Sequence, residues 1–162
     1  MFDEKKIKEW FARELRERME DAGLQPYHMP HLCHAKINSV YNYLGGASFP
    51  SPWSLVLMAE HLDCCVNDLL GYEEPRDAAV FERYLASRMY ANAEEYAHCL
   101  ADRITRFMND GGITVDDLSD KTGFNERTIK QWFGVRPKLP KTAYLLRLCE
   151  ALDCTPTDLL GY

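Results

Sequence analysis

The chain reads as all-α, two similar five-helix units in tandem joined by a helical segment, and three observations carry that expectation. The first is an internal repeat. Leu69-Leu70-Gly71-Tyr72 returns as Leu159-Leu160-Gly161-Tyr162, each closing a stretch of about sixty residues. A shift of 89 lays Leu15, Met19, Asp21 and Gly23 on Ile104, Met108, Asp110 and Gly112, Ser39-Val40 on Thr128-Ile129, and Gly45 on Gly134. One extra residue in the second unit's loop then moves the shift to 90, and Pro50, Leu55, Leu62, Asp63 and Cys64 meet Pro140, Leu145, Leu152, Asp153 and Cys154. The second observation is periodicity: apolar residues recur at helical spacing, with no strand signal. The third is composition, since 162 residues with 46% hydrophobic and 27% charged content can bury two small cores with an element between them. The expected division is 1–72, 73–91 and 92–162.

The elements are clearest in the second unit. Asn92 with Glu95 three residues on forms a capping-box pattern, and Leu100, Ile104, Phe107 and Met108 give the helix that follows one apolar face. Its length is expected to be about four turns, ended by the left-handed conformation that Gly111-Gly112 permits. A short helix from Val115 to Thr122 turns Leu118 inward, Gly123 allows a sharp turn, and Asn125 caps a helix over 126–133 that carries Ile129, Trp132 and Phe133. After the loop 134–140, Tyr144, Leu145, Leu148 and Leu152 make a fourth helix, and Thr155-Pro156 with Asp158 start a fifth. In the first unit a short helix begins at Pro26 and runs to Cys33, with Pro30 removing one amide, and residues 37–44 correspond to 126–133. Between the units, Asp77 caps a helix whose Val80, Phe81, Tyr84, Leu85 and Met89 make an apolar stripe. That stripe is read as packing on the flanking units, or as a homodimer contact.

These residues resemble the phage repressor and Cro (Xre-type) helix-turn-helix family. The resemblance runs through "GITVDDLSDKTGFNERTIKQWFG" and "KLPKTAYLLRLCEALDCTPTDLL" in residues 96–162, and more loosely through residues 7–72. It implies two lambda-repressor-like domains and a sequence-specific transcriptional regulator whose partner is double-stranded DNA. The second helix of the pair, 126–133, would enter the major groove. Burying Ile129 and Trp132 leaves Glu126, Arg127, Lys130 and Gln131 outward, where Arg127 can fork onto guanine O6 and N7 and Gln131 can pair with adenine. Asn125, Arg136, Lys138 and Lys141 are the expected phosphate contacts. Five bases and one acid between 126 and 141 give a local charge of +4 in a chain of net charge −6. Both units lack the glutamine common in the family near the start of the preceding helix, having Pro26 and Val115 there.

The first unit departs from this pattern, because its loop from Gly45 to Ser51 carries no charge. Lys36, Asn38, Tyr41 and Asn42 are its weaker candidates for DNA contact, and without counterion release its own affinity should be small. The alternative is that this unit has exchanged DNA for a protein or sister-chain surface built on Tyr41, Tyr43, Phe49 and Trp53. His28, His31 and His34 beside Cys33 have a zinc-like spacing, yet residues three apart drift around a helix and do not converge on one ion. Six cysteines without C-x-x-C spacing read as reduced thiols, with Cys64 and its counterpart Cys154 in the core. No nucleophile-and-base pair, glycine-rich phosphate loop or acidic metal cluster points to an enzyme, a cofactor or a small-molecule ligand. A charged start without an apolar signal segment, and no run long enough to span a bilayer, suggest a cytoplasmic protein that does not enter membranes.

Overall fold

A computed structural model of the chain describes residues 2–73 and 90–162. Ten α-helices and a 3-10 turn lie among them, with no strand. The connector stripe, Val80 to Met89, lies outside the described residues.

In the first half, α1 (Glu4–Asp21) starts where the Asp3 carboxylate accepts the Lys6 amide, and it buries Phe11, Ala12, Leu15 and Met19 along one face. The segment expected as one helix from Pro26 is divided. A 3-10 turn covers Pro26–His28, then α2 runs over Met29–Cys33. The division removes the conflict anticipated at Pro30, which falls in the first turn of α2, where an amide has no intrahelical partner to lose. His28 is not a free surface histidine, since its Nδ1 accepts the Gln25 amide at 2.8 Å. Helix α3 covers Ile37–Leu44, α4 covers Pro52–His61 and α5 covers Val66–Leu70.

The second half opens with α6 (Ala93–Asp110), capped by the Asn92 side chain on the Glu95 amide. It is five turns long, one more than expected, and Gly112 supplies the left-handed turn after it. The Glu95 carboxylate reaches the Ala91 amide rather than that of Asn92, one residue further than the capping-box expectation. Helix α7 (Val115–Thr122) has the full reciprocal cap between Thr114 and Asp117, whose carboxyl is held below its usual pKa by the Thr114 amide and hydroxyl. Helices α8 (Glu126–Lys130), α9 (Thr142–Leu152) and α10 (Pro156–Leu160) complete the chain.

The expectation of two separate small cores is not met: the buried apolar residues of both halves form one continuous cluster. Helix α4 shows why. Eight of its ten residues are buried, including the consecutive run Leu55, Val56, Leu57 and Met58, so it has no solvent face. One side packs on its own half, and Trp53 on another side meets Tyr96 of α6 and Tyr90 at ring distances of 5.3 and 6.3 Å. From the other direction, Arg147 of α9 lies 5.8 Å from the Phe2 ring, just before α1.

The halves also join through their last helices, α5 and α10. Asn67 and Thr157, each second in its helix, cap one another. The Asn67 amide donates to Thr157 Oγ1, and the Thr157 amide donates to Asn67 Oδ1, both at 2.8 Å in a buried setting. The first amides of a helix have no intrahelical acceptor, so two such donors are satisfied across the seam. A third bond runs from the Val66 amide to the Tyr162 carbonyl. None of the six cysteines is in a disulfide. Cys64 is buried, whereas Cys154 is only half-buried, so the two are not equivalent core thiols.

Candidate nucleic-acid interface

Helices α7 and α8 and the turn between them are fixed by side chains that the sequence places at short range. Gly123 takes φ +74°, a left-handed conformation open to glycine, and Ser119 Oγ donates to the Phe124 carbonyl just beyond it. Asn125 then caps α8, its Oδ1 accepting both the amide and the hydroxyl of Thr128. Phe124 is clamped between Tyr144 of α9, at 4.4 Å, and the edge of Trp132, at 5.9 Å. That aromatic group seats the α7–α8 pair on α9, and Ile129 and Trp132 are both buried.

The α-helix is shorter than the expected 126–133. It ends at Lys130, because the amides of Trp132 and Phe133 bond three residues back, to Ile129 and Lys130, and the Gln131 carbonyl accepts Lys138 from the loop. Gln131 therefore stands at the end of the helix rather than within it. Glu126, Arg127, Lys130 and Gln131 are all exposed, as are Asn125, Arg136, Lys138 and Lys141.

The charges are less uniform than their count implies. Lys130 Nζ lies 2.5 Å from Glu126 Oε2, one helical turn away, so these two outward residues bind each other in the free protein. Arg127, Arg136, Lys138 and Lys141 have no acidic partner among the described residues, and Lys141 lies 6.0 Å from the Tyr144 ring. The spacing of four between Glu126 and Lys130 carried the signal for that pair. Sequence reasoning also passed over Val135, which is 90% exposed at the tip of the loop between Gly134 and Arg136.

In the first half, Lys36 is the N-cap residue of α3 without a side-chain cap bond, and Lys36, Asn38, Tyr41 and Asn42 are exposed together. The aromatic surface expected there is mostly interior. Tyr43 is buried, Trp53 is 5% exposed because the second half covers it, and Phe49 packs on Phe11 beside Lys8. Tyr41, 57% exposed, is the one member of that set left on the surface, and Tyr27 and Ile37 join it. The Arg16 guanidinium donates to the Leu44 carbonyl at 2.7 Å, at the end of α3, while the loop after α8 leaves its own bases outward.

A tight turn between two short helices, seated on a third and followed by a basic loop, defines a helix-turn-helix of DNA-binding type. Residues 103–162 match the family model of the Cro/C1-type HTH DNA-binding domain, which places this part of the chain with DNA-binding regulators in general. No curated protein and no solved structure matches the chain. Among the described residues, no helix is long and apolar enough to cross a membrane.

Proposed function

We propose that the chain is a sequence-specific transcriptional regulator that reads the major groove with residues 126–133 of the 92–162 domain. The observation that carries this reading is the sidedness of the segment. Ile129 and Trp132 are buried, Arg127 and Gln131 stand outward, and four cations without acidic partners begin at Arg127 and continue through the loop. Arg127 is the guanine reader and Gln131 the adenine reader, and Arg136, Lys138 and Lys141 anchor phosphates. Asn125 has its carbonyl oxygen engaged in the cap, which leaves its Nδ2 to donate to a phosphate. Lys130 and Glu126 reach bases only after their mutual pair opens.

The test is a duplex selected from a random pool by the full chain, then titrated at several salt concentrations. Lys138→Ala and Lys141→Ala should weaken binding to every sequence and each lower the log–log salt slope by about one. Arg127→Ala should cost ~1–3 kcal/mol and relax one base position. Binding unchanged in all three variants would overturn the assignment.

A second reading, a protein-binding or dimerising surface on the first half, draws on the exposed Tyr27, Ile37 and Tyr41 beside a charge-free loop. It predicts that Tyr41→Ala leaves DNA affinity untouched.

A further inference from the structure

The seam between the halves has the form of a two-fold contact. In the register of the repeat, position 67 corresponds to 157, and these two residues meet each other with exchanged hydrogen bonds. An element packing on its own counterpart is the mark of an isologous interface, in which i touches j and j touches i. Two further contacts follow the same exchange at the level of elements, while the Val66–Tyr162 bond does not, since Pro156, the counterpart of Val66, has no amide hydrogen. The start of the first half meets α9 through Phe2 and Arg147, and the start of α6 meets α4 through Tyr96 and Trp53. Positions 50 and 142 stand beside the axis too, with the Thr142 hydroxyl donating to the Pro50 carbonyl. Ser48, Phe49 and Ser51 therefore line the same cleft as Leu139 and Lys141, so the loops that follow α3 and α8 lie side by side.

Resting on the DNA-reading assignment of α8, we infer that the chain is its own dimer partner. One molecule lays both halves on one duplex, and α3 contacts a second, A·T-rich part of the site. The chemistry of α3 selects that composition. Asn38 and Asn42 present amides that pair with adenine N6 and N7, and the exposed Ile37 and Tyr41 offer apolar surface to thymine methyl groups. No arginine stands among them to hold guanine. The charge-free loop makes this half a weak binder alone, but once the cations of the second half have docked, the shared core delivers α3 to the same duplex at high effective concentration. Affinity and salt dependence then come from the second half, and additional sequence length from the first. The operator is accordingly unequal in its two parts.

The experiment uses the full chain and a duplex that it selects from a random pool. Native mass spectrometry should give one chain per duplex, and hydroxyl-radical footprinting should show two protected segments about one helical turn apart. The surface variant Asn38→Ala/Tyr41→Ala/Asn42→Ala, checked for an unchanged circular dichroism spectrum, should lose about tenfold or more on that duplex. It should lose nothing on a duplex in which the A·T-rich part is scrambled. Two chains per duplex, a single protected segment, or full affinity of the triple variant would overturn the inference, the last being what a protein-binding surface predicts. If Arg127→Ala weakens binding while the triple variant does not, this inference alone fails. If no duplex is selected, or Arg127→Ala is neutral as well, the assignment of α8 fails with it.

Discussion

Replacing Asn67 by alanine isolates the seam between the halves. Asn67 is 1% exposed and Thr157 fully buried. The substitution removes Oδ1, the acceptor of the Thr157 amide, and Nδ2, which donates to the Glu73 carbonyl at 2.7 Å. Glu73 is exposed, so water takes over its carbonyl at little cost. The Thr157 amide has no such recourse, and a buried donor left without an acceptor costs about 1–3 kcal/mol. With ~2 kcal/mol as the central value, and 2–4 °C of Tm per kcal/mol in a chain of this size, melting should fall by about 4–8 °C. Thr157→Val takes away the acceptor of the Asn67 amide and the donor to the Tyr162 carbonyl, and should cost a similar amount. Each variant removes a different one of the two exchanged bonds, so in urea titrations each alone should lower the midpoint and the double variant should lower it further than either. Asn38→Ala, on the exposed face of α3, should stay within about 0.5 kcal/mol of the parent and serves as the control. A stability for Asn67→Ala inside that margin would refute the reciprocal cap.

Three further outcomes follow from particular groups. Lys130→Ala should lower the salt slope for DNA by less than Lys138→Ala does, because the Lys130 charge is already matched by Glu126 in the free protein. Glu126→Gln should correspondingly raise non-specific affinity at low salt, and equal slopes for the two lysine variants would contradict the pair. In the first half's loop, Phe49 is packed and Ser51 caps α4, so the exposed Ala47 is the place to add a base; Ala47→Lys should strengthen non-specific binding at low salt and lose that gain at high salt. Burial, with the Cys149 and Glu150 charges nearby, pushes the Tyr72 phenol up from 10.0 to about 12. A raised acid pKa contributes stability that is complete below pH 10 and is lost as pH rises toward about 12, so Tyr72→Phe should flatten the alkaline fall in urea midpoint across that window.

Local signals were legible and cross-half ones were not. The span of α7, the Gly123 turn and the Asn125 cap could all be read from neighbours within a few residues, because caps and tight turns are decided by short-range hydrogen bonds. The end of α8 could not, since it depends on Lys138 reaching back to the Gln131 carbonyl across the loop. Trp53 looks like exposed aromatic area from the first half alone, and Tyr90 and Tyr96 of the second half pack against it. The unbroken apolar run Leu55–Met58 was the one sequence trace of the shared core: a helix at the edge of a self-sufficient small domain would keep a polar stripe there. At the interface, residue identities named the outward bases, while the Glu126–Lys130 pair needed the i,i+4 rule applied to charges as well as to apolar residues.

The mutual capping of Asn67 and Thr157 has a consequence for how the protein responds to its own abundance. Two separate chains joined by such a contact would part on dilution, and the amount of paired species would rise steeply with expression. Here both partners sit on one polypeptide, so the contact has no concentration term. Every molecule that folds carries the joined arrangement, from the first copy made. If one chain occupies one DNA site, as inferred above, occupancy should follow a simple hyperbola in protein level, without the threshold that assembly from subunits imposes.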